Sequence, residues 1–322
     1  MESIHAGMLF PVGAPMSTAP LFDAPGRGPS VSFELYPPRT PRGEETVRRT
    51  VAALAEAEPD FFSVTYGASG STRATSRELI EVILATTSVT PLAHLTCVGA
   101  SAEDLGGYVR SLLERGVRDF LALRGDPPAG QPDWRPHPEG LTRSAELVRL
   151  LRTLATEHHP DEQVSVSVAT YPGGAYDATG QPVVLADDVA ALVEKQAAGA
   201  DFAITQLFYD ARHYAELVRA ARAAGVHIPI VPGIIPLTDP RRLRRMVELT
   251  DVPVPEDLLH ALDEAPDAEA AYQLGMRASV DLVQAVLEAG APGVHLYTFN
   301  SARAVLDLLH HAGLRRMPAA PR

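Results

Sequence analysis

Residues 31–40 read VSFELYPPRT. A β-type run, Val31–Tyr36, ends on the proline pair Pro37-Pro38. An open doubly wound sheet usually carries a Gly-x-Gly-x-x-Gly turn after its first strand, and none is present here. Beyond the prolines, Glu44–Ala57 has the spacing of an amphipathic helix, and this strand–helix unit repeats along the chain. Further β-type runs fall at Phe61–Tyr66, Pro91–Cys97, Asp119–Gly125, Val164–Tyr171, Phe202–Tyr209, Ile228–Ile235 and Val294–Asn300. Helical patterns lie between them at Thr72–Thr86, Ala102–Arg115, Ser144–Glu157, Ala186–Ala198, Ala211–Ala224 and Pro240–Leu249. A helical pair covers Glu256–Glu288, and Ala302–His310 closes the series. Gly116, Gly199, Gly225 and Gly290 stand where helices end in a left-handed turn. Strict alternation implies parallel strands with right-handed crossovers. Eight units in about 280 residues match a closed barrel better than an open sheet. The expected fold is therefore α/β, a single-domain (β/α)8 TIM barrel over residues 29–314.

The flanks read differently. Residues 1–28 are rich in proline and glycine, with Glu2 but no basic residue before Arg27, so a flexible arm is expected and a signal peptide is not. Residues 315–322 read as a C-terminal tail. The net charge of −12 argues against nucleic acid and anionic membrane as partners, although a local basic cluster can still hold a phosphate. No apolar run approaches the roughly 20 residues needed to span a bilayer. A single cysteine, Cys97, permits no intrachain disulfide and suits a reducing cytoplasm. The sequence leaves the oligomeric state open, a homo-oligomer included.

Barrel enzymes carry their chemistry at the C-terminal ends of the strands. Residues two apart on a strand share a face, which groups Ser32, Glu34 and Tyr36 against Val31, Phe33 and Leu35. The same parity sets His94 and Thr96 against Leu95 and Cys97, and Ala122, Arg124 and Asp126 against Leu121 and Leu123. It also sets Ser165, Ser167, Ala169 and Tyr171 against Val164, Val166 and Val168. Glu34, Thr65, His94, Asp126, Tyr171, Gln206 and Tyr297 all fall at or near strand C-termini. A carboxylate such as Glu34 on the lumen side is costly without a partner or ligand. Two readings stay open for it: an ion pair with a barrel arginine such as Arg124, or a general acid whose raised pKa holds a proton near neutrality. Asp126, in the proline-stiffened turn Arg124-Gly125-Asp126-Pro127-Pro128, is either functional or a capping residue. His94 and Cys97 lie on opposite faces, which disfavours a nucleophile–base pair or a metal site; Cys97 reads as core. His158-His159 with Asp161 reads as a solvated turn. Gly67–Thr72 is either an anion cradle or a tight turn with an N-cap at Ser71.

These segments resemble the methylenetetrahydrofolate reductases. The resemblance rests on SFELYPPRT (Ser32–Thr40), FFSVTYGASGSTR (Phe61–Arg73), AHLTC (Ala93–Cys97) and LALRGDPP (Leu121–Pro128). AGADFAITQLFYD (Ala198–Asp210), PIVPGIIP (Pro229–Pro236) and HLYTFN (His295–Asn300) complete it, seven ordered segments each at a strand. The resemblance implies reduction of methylene-tetrahydrofolate to methyl-tetrahydrofolate. Non-covalently bound FAD would carry hydride from NADH or NADPH, with the two substrates alternating over one flavin face. It implies Glu34 as the general acid toward the folate and Asp126 as the group tuning the flavin. Thr65, His94, Leu123, Arg124, Gly125, Asp126, Ala169, Tyr171, Asp188 and Lys195 would hold FAD; Glu34, Gln206, Tyr297 and Arg303 would meet folate or nicotinamide. No metal is implied.

The chain also departs from the family pattern. Ser301 stands where an arginine is common, with Arg303 two residues on. The Tyr171–Asp188 spacing is longer, and Pro172–Ala175 lacks an expected histidine. Met246 stands where a stacking aromatic is expected, and Ala191 and Glu194 where amide and basic residues are common. A carboxylate at 194 would repel a dinucleotide phosphate, leaving Lys195 and backbone amides to hold it. A flavin-free reductase of the same fold, or a folate-binding accessory subunit without redox activity, are the competing readings.

Overall fold

The computed structural model describes residues 17–22, 26–38, 40–66, 70–127 and 134–314. Nine strands pair in parallel: β1 Ser30–Leu35, β2 Phe61–Val64, β3 Thr90–Thr96, β4 Asp119–Leu123, β5 Ser165–Thr170, β6 Phe202–Thr205, β7 Ile230–Val231, β8 Gly233–Ile234 and β9 Gly293–Tyr297. Their order, β7-β6-β5-β4-β3-β2-β1-β9-β8, runs around a ring that closes where β7 and β8 meet. These two are one strand interrupted at Pro232, which has no N–H to donate to a ladder. The proline still accepts through its carbonyl, from the amide of His295 at 2.9 Å. The fold is thus a (β/α)8 barrel, with the seventh of its eight runs broken in two.

The helices are α1 Pro41–Ala55, α2 Gly70–Thr86, α3 Ala102–Leu113, α4 Ser144–His158, α5 Ala186–Ala197, α6 Ala211–Ala223, α7 Pro240–Thr250, α8 Glu256–Asp263, α9 Ala268–Glu288 and α10 Ala302–His311. Several start where the sequence supplies an acceptor. Thr40, Ser101, Asp210, Asp239 and Asp267 accept first-turn amides of α1, α3, α6, α7 and α9. Gly199, with φ +106°, ends the turn after α5 in a conformation that side chains resist.

Two apolar layers hold the barrel. Between strands and helices, Phe33, Leu35, Val166, Val168 and Leu296 pack against Val47, Val51, Leu54 and Leu192. Inside the barrel, Phe61, Leu92, Leu121, Phe202, Ile204 and Val231 form a second cluster. Each such side chain contributes roughly 1.5–3 kcal/mol by leaving water. The inner cluster corrects the expectation for β4: Leu121 points inward, and Ala122 packs with the helices.

Part of the arm expected to be flexible over residues 1–28 packs on the barrel. Residues Ala19–Phe22 form a 3-10 turn, and Leu21 and Phe22 pack on the inner cluster, with the Phe22 ring 5.0 Å from Phe202. Thr18 is buried and donates through its amide and hydroxyl to Asp119 Oδ1, at 2.7 and 2.6 Å. Because Asp119 opens β4 and Ser165 opens β5, this segment closes the N-terminal end of the barrel. The rest of the arm, at 1–16 and 23–25, and the tail at 315–322 lie outside the described residues. Among the described residues no helix is long and apolar enough to cross a membrane.

Candidate active site

The inner apolar cluster fills the lower barrel, and among the described residues the lumen opens at the strand C-termini. There a cavity of about 710 Å³ is lined by Glu34, Tyr36, Thr65, His94, Leu121–Asp126, Thr142–Ala145, Ala169, Tyr171, Asp188, Ala191, Glu194 and Lys195. Ile204–Leu207, Met246, Leu249, Thr250, His295, Tyr297 and Phe299 complete it. Nearly every site residue expected from the sequence therefore faces one cavity. Arg303 does not. It sits on the outer face of α10, 65% exposed, bridging Glu269 at 3.3 Å and Asp307 at 3.8 Å and lying over the Tyr272 ring. A helix position three residues beyond Asn300 turns away from the mouth, whereas Ser301 is the extended residue just before the helix.

Glu34 lies at the cavity floor with its side chain 10% exposed. The arginine partner considered for it is absent: Arg124 is 71% exposed and faces Asp126 at 3.8 Å. Its neighbours are two imidazoles, with Oε2 3.8 Å from His94 Nε2 and 3.9 Å from His295 Nε2. His295 is fixed by its other contacts: Nδ1 lies 2.8 Å from Ser32 Oγ, Nε2 lies 3.3 Å from Ser63 Oγ, and the ring stacks on Phe61. Burial pushes the Glu34 carboxyl up, but His295, His94 and the Tyr36 hydroxyl outweigh it and hold the group below its usual value. This corrects the expectation of a raised pKa. In the free protein Glu34 is a carboxylate. His94 is pushed down to about 4, chiefly by burial, so near neutral pH it is an uncharged neighbour.

The walls are built by the strand ends. Asn300, with φ +56°, joins β9 to β1: its Oδ1 accepts from Tyr36 N at 2.9 Å and its Nδ2 donates to Tyr36 O at 2.8 Å. That staple sets Phe299 on the Tyr36 ring, centroids 5.6 Å apart, with the Arg242 guanidinium 4.6 Å above Phe299. Tyr297 donates to Thr205 O at 3.0 Å, and Gly233 is threaded between them. A Cβ there would lie 2.3 Å from Thr205 O, so no other residue fits. Gln206 Oε1 accepts from the Leu207 amide at 2.9 Å. Asp126 stands at the rim, 92% exposed, past the end of β4. Lys195 donates to Ala169 O at 2.8 Å, and desolvation lowers its pKa while Asp188 opposes that.

His94 bears on whether a flavin fits this site. Its Nε2 is buried on the cavity wall and has no hydrogen-bond partner among the described residues. A buried polar atom of that kind calls for a ligand group. The apolar side chains of Leu121, Ala169 and Ile204, with the polar groups of Thr65 and His94 on the same cavity, suit a heteroaromatic ring. Residues 67–69 of the Gly67–Thr72 stretch lie outside the described residues, and from Gly70 on the backbone is already the first turn of α2, so Ser71 is inside the helix rather than its N-cap.

Sequence reasoning missed His295, Phe299 and Arg143. His295 is two residues before Tyr297, hence on the same face of β9, so the parity that selected Tyr297 also selects it. Phe299 and Arg143 stand in loops, where periodicity carries no information.

Residues 24–313 match the family model for methylenetetrahydrofolate reductase. The chain is 33% identical over 289 residues to a 5,10-methylenetetrahydrofolate reductase of Pectobacterium carotovorum subsp. carotovorum, covering 89% of this chain and 91% of that one. It is 31% identical to a probable methylenetetrahydrofolate reductase (NADH) of Oryza sativa subsp. japonica, where 88% of this chain spans only 48% of the plant protein. In fold it is similar to an uncharacterized protein from Clostridium thermocellum that binds two copies of 5-methyl-5,6,7,8-tetrahydrofolic acid. The TM-score is 0.59 at 12% identity, covering 89% of this chain and 94% of that one. With the family model spanning the whole barrel, this chain belongs to the methylenetetrahydrofolate reductase family.

Proposed function

We propose that this chain reduces 5,10-methylenetetrahydrofolate to 5-methyltetrahydrofolate, using non-covalently bound FAD and a reduced nicotinamide. The observation that carries this reading is a buried carboxylate, Glu34, lining the cavity at the strand C-termini, its Oε2 3.8 Å from a His94 Nε2 that has no hydrogen bond among the described residues. When bound, the flavin supplies the hydride that reaches the folate. Thr65, His94, Leu123–Asp126, Ala169, Tyr171, Asp188 and Lys195 would hold it, and Gln206 and Tyr297 would orient folate or nicotinamide, a reading supported by their lining one cavity. The name of the rice relative specifies NADH, which favours that nicotinamide here.

Glu34 has to deliver a proton to the bridging folate nitrogen so that the five-membered ring opens to an iminium able to accept hydride. In the free protein the carboxyl is ionised. Ligands stacked over the mouth remove water from it, and desolvation is already the largest influence on this group, acting upward. Binding thus loads the acid. Tyr36 and Tyr297 remain protonated throughout, because burial and the neighbouring Glu34 charge raise both. They serve as hydrogen-bond donors rather than bases.

The test begins with the visible spectrum. A yellow protein bleached by NADH or NADPH and restored by methylene-tetrahydrofolate is expected. Glu34→Gln is expected to keep nicotinamide oxidation with menadione as acceptor while folate reduction falls by about 10²–10⁴. A colourless protein that still couples NADH to the folate would favour the flavin-free reading, and equal loss of both half-reactions would remove Glu34 from its role.

A further inference from the structure

On the cavity wall formed by α4 and α5, Arg143 and Glu194 make an ion pair that no step above uses. Arg143 precedes α4 and Glu194 lies on α5 beside Lys195, and all three line the cavity. The Arg143 side chain is 60% exposed and that of Glu194 29%. An ion pair this open adds little to stability, so its position within the cavity is the feature to explain. Arginine has no lone pair with which to cap a helix. Glu146 instead turns back to accept the amides of Thr142 and Arg143, at 2.8 and 3.1 Å. The next two amides, of Ser144 and Ala145, have no acceptor within α4. Both residues are buried and line the same cavity. Lys195 is the second cation on this wall, its ammonium held by the Ala169 carbonyl at 2.8 Å. In a chain of net charge −12, an anionic ligand has to find its cations locally.

We propose that Arg143, with Lys195 and the open start of α4, holds the pyrophosphate of FAD, and that Glu194 parks the guanidinium until the phosphate displaces it. This rests on the flavin reading given above and names the group that gives it dinucleotide specificity. The acid at 194, where the family commonly has a base, would otherwise repel the phosphates. Here Arg143, just before α4, sets a cation beside that acid on the same wall. Carboxylate and phosphate both fit the planar guanidinium fork through paired N–H donors, so the two compete for one site. That competition gives the two partners opposite mutational signs, which an ordinary structural ion pair does not.

The experiment is titration of flavin-free protein with FAD, FMN and riboflavin, followed by flavin fluorescence. Arg143→Ala is expected to weaken FAD about tenfold or more while riboflavin is unchanged. Glu194→Gln is expected to tighten FAD, again without effect on riboflavin, and Arg143→Lys to recover part of the lost affinity. The wild-type preference for FAD over riboflavin should shrink with added NaCl, and shrink less in Arg143→Ala. If Arg143→Ala does not fold, Arg143→Lys and Glu194→Gln carry the test, with weaker and tighter FAD binding expected. Unchanged FAD affinity in the Arg143 variants, or weakening in Glu194→Gln as well, overturns the phosphate role while leaving the flavin reading intact. Failure of the wild-type protein to bind any of the three flavins overturns both.

Discussion

The ionisation of Glu34 is set by what lies under it, so the sharpest single-residue prediction concerns His295. His295 stands 3.9 Å from the carboxylate and is among the influences that hold it below its usual value. His295→Gln keeps a polar group near Ser32 and Ser63 but removes the imidazole. The Glu34 pKa then rises, and its protonated form persists to higher pH. The folate half-reaction, followed anaerobically by reoxidation of the reduced protein, should lose rate at a higher pH than in the wild type. The nicotinamide half-reaction should keep its profile. An unshifted profile would show that His295 acts only through packing. Parity alone made Glu34 and Tyr297 legible as lumen residues, and His295 shares the rule, but a buried histidine reads equally well as core until its distance to a carboxylate is known. Arg303 shows the opposite failure. Its distance along the chain from Asn300 suggested the mouth, and the helical rotation of α10 carried it to Glu269 on the outside.

At the scale of elements, alternation of strand and helix was legible because each side chain's period is dictated by the backbone, and the eight runs correspond to the observed barrel. Two local features were not. Pro232 splits the seventh run, and on β4 the polar parity of Arg124 and Asp126 belongs to the turn beyond the strand, so Leu121 faces the lumen. Both depend on where a ladder stops, which hydrogen-bond partners decide. The long helix α9 is fixed to the segment after β8 by a contact that sequence could not announce. Leu237 N donates to Ser279 Oγ at 2.8 Å, and Ser279 donates to Gly275 O at 2.7 Å. At Gly275 a Cβ would lie 2.1 Å from the Leu237 carbonyl oxygen, and backbone cannot move aside as a side chain can. Gly275→Ala should therefore cost about 1–3 kcal/mol despite alanine's better helix propensity, read as a lowered urea midpoint. Since Leu237 and Met246 share one apolar cluster, the variant should also raise KM for folate or nicotinamide. Stability equal to the wild type would mean that α9 shifts freely, contrary to this packing.

The molecule as a whole is a barrel closed by its own N-terminal segment, and the closure makes its stability depend on pH. Proline and glycine around Thr18–Phe22 gave a sequence signal for a flexible arm, and nothing in the chain reveals the apolar hole that Leu21 and Phe22 fill, because only the closed barrel creates it. Asp119 receives Thr18 there, with Oδ2 left without a hydrogen-bond partner among the described residues. Burial pushes this carboxyl up to about 7, against the pull of its Thr18 hydrogen bonds. An unfolded aspartate titrates near its ordinary value of 3.8. Between those two values the folded protein binds a proton that the unfolded chain does not, so stability falls as pH rises across the window. The favourable contribution is complete below 3.8 and is lost as pH passes about 7. Asp119→Asn keeps an oxygen for Thr18 and cannot ionise. Its melting temperature should therefore change less than that of the wild type between about pH 5 and about pH 8, and should exceed it at the alkaline end. Parallel melting curves for the two proteins across this range would mean that Asp119 reaches water and that the N-terminal segment does not seal the barrel.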